Sequence, residues 1–558
     1  MNDEHRRPAD WDAIVVGSGM GGMTCAAYLA VTGHRVLVLE QAGVLGGNSH
    51  VFRRRSAYEF DAGVHYIGDC GPDGVLPAIL RGLALDDRVV FRDMDPDGFD
   101  EVVLPGLRML VPTGWDRYLD RLTGVLPQDK EGLREFVEVC SSVGGEMRWT
   151  LLSAAGVDPA EILRRTPTAM AWGRRTLHDL FEHCRLSAEA RTVLAAQALN
   201  YGIGPREATV GMHASVMDHY LRGAAYPVGG GQMLSASLAE AVTGHGGTVR
   251  TRQRVERVLV EDGRTRGVVL DTGEELHAPI VVSNADYPRT VLELVGEEHL
   301  APSVVKRART AVMGHPLVVL YVGLDRELPG RSGANLWWHG NADIEEAFRG
   351  LAEGRFDAPE SVFISFASSK DPDTAAIRPP GHANFQVMAL CPRSLDAWGT
   401  AAASPHGEGY RRDPAYLAEK QRVTEAMLAT AERALGPFRA HITHLELATP
   451  ATQRRYTRST GGSPFGLASW GGKGARPDTR TSVKGLYVVG QSTRYGSGIT
   501  GAAVSGIACA GQILDRPLLP EVHAGAVLGE RRLLPERGAG WDPLHASGGR
   551  APRGGDTT

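Results

Sequence analysis

The sequence predicts an α/β chain built on a parallel, Rossmann-type sheet that binds a dinucleotide, and three observations predict it. Asp12 to Val16 is a short apolar run that stops at Gly17-Ser18-Gly19-Met20-Gly21-Gly22. A small-residue helix follows and ends at Thr32-Gly33. Arg35 to Leu39 is then a second apolar run, closed by Glu40. Strand, glycine turn, helix and strand thus arrive in the order a dinucleotide requires, with an acidic residue about 20 positions beyond the glycines. Gly17 permits the tight turn, Gly19 lets the pyrophosphate approach the backbone, and Gly22 lets the helix pack closely on the sheet. The positive end of the helix faces the phosphates, and Glu40 fits the acceptor of the adenosine ribose hydroxyls.

Composition narrows the class. A chain of 558 residues is long enough for two or more domains and a large core. The net charge of -5 and the lack of a dense basic run give no electrostatic footprint for nucleic acid. Met1 to Asp10 is polar, without a signal-peptide core, and no run nears the roughly 18 apolar residues a membrane span needs. A cytoplasmic protein is expected. The six cysteines, Cys25, Cys70, Cys140, Cys184, Cys391 and Cys509, are scattered without metal-like spacing and read as reduced. No metal site is expected.

Directly after Glu40 and Gln41 comes a second glycine-rich loop, Gly43 to His50, followed by Val51-Phe52 and by Tyr58 to Gly68. A nicotinamide-only dehydrogenase has no use for such a loop, whereas a flavin protein does, because its longer cofactor runs onward past the sheet. Leu104 to Pro112 reads as strands. Trp115, Tyr118, Leu119, Leu122, Val125 and Leu126 recur at helical spacing, and the pattern stays helical to about Arg222. Bulky residues there, such as Trp149, Met170, Trp172 and Phe181, read as helical core or as the lining of an apolar tunnel. Arg164, Arg165, Arg174 and Arg175 beside them read as a solvated face or as a peripheral contact with an anionic membrane.

Tyr226 to Gln232 leads into a helix through about Ala241, and four short strands follow between Thr248 and Val282, with turns at Asp262-Gly263 and Thr272-Gly273. Val281-Val282-Ser283-Asn284-Ala285-Asp286 is a strand running into a polar turn. Mixed strands and helices continue, including Trp337-Trp338-His339 and a long helix from about Pro414 to Leu435. Gly485 to Gln491 is a buried strand, and Ile499 to Leu514 a Gly/Ala-rich helix that can pack against a cofactor and offer N–H groups to a ring oxygen. Beyond about Leu519 the composition reads as a loose tail.

Taken together, Gly17 to Glu40, the Gly46-Gly47 loop, Phe60-Asp61-Ala62-Gly63 and Gly485 to Leu514 resemble the two-dinucleotide-domain, amine-oxidase-like flavoproteins. Within them the chain resembles the phytoene desaturase, carotenoid isomerase and retinol saturase group. Gly46 to Phe52 and Glu59 to Gly68 look most like the retinol saturase branch. The group's desaturases usually carry an arginine where Asn48 stands, and many relatives an acidic residue where Gln491 stands. The amide of Gln491 can still bond a ribityl hydroxyl.

The resemblance implies an FAD-binding domain in three parts, residues 10–110, 225–300 and 481–516. It also implies a helical insert at 111–224, a mixed α+β substrate domain at 301–480 and the tail at 517–558. It places FAD on Gly17, Ser18, Gly19, Gly21, Gly22, Glu40 and Gln41, with Gly46, Gly47, Asn48 and His50 along the ribityl side. Val255 would meet the adenine, and Gly490, Gln491, Ile499 and Thr500 the ribityl chain and pyrimidine edge. Gly63, Val64, His65 and Tyr66 would lie beside the ring. His65 and Tyr66 are then the expected proton carriers, with His339 a weaker one, since flavin moves the hydride and the protein the proton. The implied reaction acts on carbon–carbon bonds of an apolar polyene, saturation favoured over desaturation, with electrons from a visiting NAD(P)H or from a partner. The rival readings are redox-neutral polyene isomerisation with reduced FAD, amine oxidation, and a non-enzymatic prenyl-binding role like that of the Rab escort proteins.

Overall fold

The computed structural model describes residues 10–55, 57–153, 157–328, 330, 332–399, 409–468 and 476–549. Its first organising element is a five-stranded parallel sheet, in the order Thr248–Thr251, Val36–Glu40, Ala13–Val16, Ile280–Ser283 and Leu486–Val488. Ala13–Val16, Val36–Glu40 and Ile280–Ser283, the three central strands, are Val-, Ile- and Leu-rich because they are covered on both faces, whereas the edge strand Thr248–Thr251 is half-exposed and polar. On one face lie helices Met20–Val31, Gln232–Gly244 and Gly498–Leu514, which share one apolar core with the sheet. On the other lies a three-stranded meander, Val255–Glu261, Arg264–Leu270 and Glu275–His277. The strand expected from Leu276 to Val282 is in fact two, because Ala278 and Pro279 turn the chain from the meander into the parallel sheet.

Gly17 has φ +95, a backbone that L side chains rarely adopt, and it turns the first strand into its helix. Adjacent strands leave the first strand on its two sides, so the crevice at its carboxyl end is the topological switch point where dinucleotides bind.

A second, seven-stranded sheet has the order Ile442–Ala448, Leu317–Leu324, Ala383–Leu390, Ser361–Ser365, Asn335–His339, Asp100–Leu104 and Leu107–Val111. Strands Asp100–Leu104 and Leu107–Val111 complete this sheet, the first pairing in parallel with Asn335–His339. Period-two alternation divides its residues. Val318, Leu320 and Val322 face the core beneath helix Pro414–Leu435, whereas Val319 and Tyr321 face the core of the helical insert. In that insert Leu177, Leu180 and Phe181 are buried as helical core, whereas Trp149, Leu151 and Trp172 are half-buried, Leu151 on the cavity, and Met170 is exposed.

The expected loose tail is docked as far as residue 549. Helix Leu518–His523 buries Leu518, Leu519 and Val522, and helix Pro543–Ala546 buries Leu544. Arg537 forks onto Glu240 and Ser237, and Leu45 N donates to Ser547 O at 3.0 Å, so this arm straps the second glycine loop from outside.

Candidate active site

One cavity of about 2210 Å³ runs from the switch point of the parallel sheet to the face of the seven-stranded sheet. Its first half is a cradle of glycines. A Cβ on Gly21 would lie 2.8 Å from Gly490 N and 3.0 Å from Asn284 Oδ1, so turn and closing strand approach to within backbone contact. Ser18 Oγ donates to Glu40 Oε2 at 2.7 Å and accepts from Gly46 N at 3.0 Å, tying the first glycine turn to the second. Glu40 Oε2 also accepts from Ser18 N at 2.8 Å, and Oε1 from Ala42 N at 2.7 Å. Oε1 therefore keeps a lone pair for a ribose hydroxyl.

Helices Met20–Val31 and Gly498–Leu514 both begin without a side-chain cap, at Gly19 and Ser497, leaving first-turn N–H groups for a ligand. Thr500 Oγ1 is buried on this wall with no hydrogen-bond partner among the described residues. An uncapped glycine cradle, a carboxylate with an open lone pair and an orphaned hydroxyl fit a flavin dinucleotide.

The second half is an apolar chamber lined by Leu317, Val319, Phe363, Met388, Leu199 and Met212. Where the halves meet, His65 and Tyr66 form a polar wall. Tyr66 stacks on Tyr220 with ring centroids 4.2 Å apart, donates its hydroxyl to Asp100 Oδ2 at 3.0 Å and accepts from Asn200 Nδ2 at 3.1 Å. Beneath the wall, Lys370 Nζ donates to His65 O at 2.7 Å and to Ser365 Oγ at 2.6 Å. Asp61 accepts from Tyr226 and from Gly231 N, so it holds the turn together.

Burial sets the charges here. It pushes Glu59 up to about 7 and Asp61 up to about 6, against Arg53 and Tyr226 respectively. Burial also brings Lys370 down to about 7. His65 is brought down to about 3 by burial and by the Lys370 charge. At neutral pH its imidazole is therefore uncharged, with one ring nitrogen able to accept.

Most expected cofactor residues line this cavity: Gly17, Ser18, Gly19, Gly21, Glu40, Gln41, Gly46, Gly47, Asn48, His50, Gly63, His65, Val255, Gly490, Gln491, Ile499 and Thr500. Two do not. Gly22 faces the strand, where a Cβ would meet Gly17 O at 2.3 Å, and Val64 is turned inward onto Gly231. His339 is buried against Ser361 Oγ, away from the cavity wall. Sequence reasoning missed Asn284, which lines the cavity between Gly19 and Gly490 and whose strand-to-turn setting was visible without its target. It also missed Asn200, Tyr220 and Asp100, which no motif marks.

A switch-point cradle of this kind, opening on a second sheet, defines an FAD-dependent oxidoreductase. Residues 20–514 match the family model described as flavin containing amine oxidoreductase, and the chain belongs to that family. It is 28% identical to all-trans-retinol 13,14-reductase of Danio rerio over 541 residues, covering 92% of this chain and 87% of that one. Prolycopene isomerase 2, chloroplastic, of an Oncidium hybrid cultivar is 27% identical over 526 residues, with 90% and 84% covered. Among solved structures, cyclohexylamine oxidase from Brevibacterium oxydans superimposes with a TM-score of 0.58 at 19% identity, covering 91% of this chain and 100% of that one, a likeness of fold.

Proposed function

We propose that this protein reduces a carbon–carbon double bond in an elongated apolar polyene, using FAD. The observation that carries the reading is the continuity of the cofactor cradle with a chamber in which Leu199, Met212, Leu317, Val319, Phe363 and Met388 form an apolar wall beside His65, Tyr66 and Asn200. Such an apolar wall suits an unsaturated hydrocarbon chain and sets it against the hydroxyl that can supply a proton. A retinoid reductase and a carotenoid isomerase among the relatives support the same substrate class.

When bound, the flavin supplies the hydride. Gly17, Ser18, Gly19 and Gly21 would hold the pyrophosphate through backbone N–H groups and the helix start, Glu40 the adenosine ribose, and Gln491 and Thr500 the far end. His65, neutral and with its Nδ1 buried without a partner among the described residues, accepts a hydrogen bond from cofactor or substrate. Tyr66 donates the proton to the second alkene carbon, and Asn200 holds its oxygen in place.

We further propose that the protein works at a membrane face, with a transient NAD(P)H as donor. Met147 and Leu151 line the cavity at the end of helix Lys130–Leu152, and the next two helices, Pro159–Arg165 and Pro167–Trp172, expose Leu163 and Met170 beside Arg174 and Arg175. An apolar substrate leaving a bilayer there would have a short path inward. Anaerobic mixing tests the reaction: NADPH should bleach the bound flavin and all-trans-retinol restore its colour. A changed double-bond geometry at constant mass would establish isomerisation instead.

A further inference from the structure

We propose that Asp100 is a proton reservoir behind Tyr66, handing a proton to the Tyr66 oxygen as the Tyr66 hydroxyl protonates the substrate carbon. The inference rests on the reduction reading above. Asp100 opens a strand of the seven-stranded sheet, has no solvent exposure, and does not line the cavity; its connection to the cavity is the hydroxyl of Tyr66 at 3.0 Å.

Its other neighbours are the Trp337 indole and two amides. Asn335 Nδ2 donates to Oδ1 at 2.9 Å and Gln197 Nε2 to Oδ2 at 2.7 Å. The remaining oxygens of those two amides, Asn335 Oδ1 and Gln197 Oε1, are buried with no partner among the described residues. Amide orientation is exchangeable, and a half-turn of either side chain presents an oxygen to Asp100 in place of an N–H. The shell thus has a hydrogen-bond pattern for the carboxylate and another for the carboxylic acid. A purely structural buried aspartate needs the first alone.

The groups that face Asp100 are Tyr66, Tyr118, Tyr220 and Lys370. Burial raises Asp100 against the pull of Asn335, Trp337, Gln197 and Tyr66, a shift toward the acid. The step balances. The alkene π pair takes the Tyr66 proton at one carbon while the other receives hydride from the reduced flavin. The Tyr66 O–H pair stays on oxygen, which takes the Asp100 proton, and Asp100 ends as a carboxylate held by Asn335 and Gln197. Without that second transfer a phenolate would be left in an apolar chamber. After product leaves, water entering the cavity returns a proton through Tyr66.

Full-length, FAD-loaded protein tests this in two independent ways. Infrared difference spectra of wild type minus D100N should show the carbonyl stretch of a protonated carboxyl at neutral pH, and Y66F should shift that band. This readout needs no substrate, so it judges the reservoir even if all-trans-retinol proves not to be turned over. No such band, or a band indifferent to Y66F, overturns the inference. Where wild type does reoxidise its flavin with all-trans-retinol, that rate should fall as pH rises through the Asp100 titration. In D100N it should be about 100-fold lower and flat with pH. A D100N rate equal to wild type also overturns it. If D100N does not fold, Y66F, which removes one hydroxyl and keeps the ring on Tyr220, decides through the carboxyl band alone.

Discussion

Lys370 places its ammonium nitrogen 2.7 Å from the backbone carbonyl of His65, although the two residues are 305 positions apart. The contact fixes the turn that carries His65 and Tyr66, and it does so with a fully buried amine brought down from 10.5 to about 7. Between those values the native protein holds fewer protons at this site than the unfolded chain. The group's contribution to stability therefore rises with pH across that window and is lost as pH falls. K370M removes the dependence. Denaturant midpoints at pH 7, 8 and 9 should show wild type gaining on K370M, by up to about 1.4 kcal/mol per pH unit; parallel curves would refute the assignment.

Gly22 is expected to matter for folding and only indirectly for the cofactor. A methyl group there would sit 2.3 Å from Gly17 O, a backbone atom with no freedom to retreat. G22A should cost about 1–3 kcal/mol in unfolding experiments on the apoprotein. E40Q should leave apoprotein stability closer to wild type and weaken flavin retention on gel filtration.

The C-terminal arm should slow flavin release. Asp542 pairs with Arg53 at 2.6 Å, Ser547 O accepts from Leu45 N in the second glycine loop, and the buried Leu544 lines the cavity. L544D is expected to raise the flavin off-rate about 10-fold, equivalent to roughly 1.4 kcal/mol. Stopped-flow displacement by apoflavodoxin reads it directly, and an unchanged rate would show the arm to be mere packing.

Membrane contact through Leu163 and Met170, exposed at 55% and 63%, should be abolished by L163D/M170D. Flotation with phosphatidylserine vesicles should recover wild type and not the double variant, with binding weakened by salt because Arg174 and Arg175 supply the attraction. Arg164 and Arg165 already pair with Glu161 and contribute less.

The cofactor cradle was legible because its chemistry is local. Gly17 to Glu40 and Gly46 to His50 are contiguous motifs whose spacing encodes the approach of a backbone to a phosphate. The polar wall was half legible: the turn at His65 and Tyr66 follows a motif, whereas Asp100, Asn200 and Asn335 reach Tyr66 or its partner from 34, 134 and 235 positions along the chain. No periodicity records such a meeting. His65 was read as a proton carrier from its residue type, and its burial beside Lys370 is a tertiary fact. The tail looked loose because its contacts are single apolar residues and backbone groups spaced without a period, Leu518, Val522, Leu544 and the carbonyl of Ser547.

The most direct test of the account is one anaerobic experiment. FAD-loaded protein is reduced with dithionite, freed of excess reductant and mixed with all-trans-retinol. The flavin spectrum and product mass are then followed together. Reduction of a polyene double bond requires stoichiometric return of oxidised flavin and a product heavier by two hydrogens. A flavin that stays reduced, or a product of unchanged mass, would contradict it.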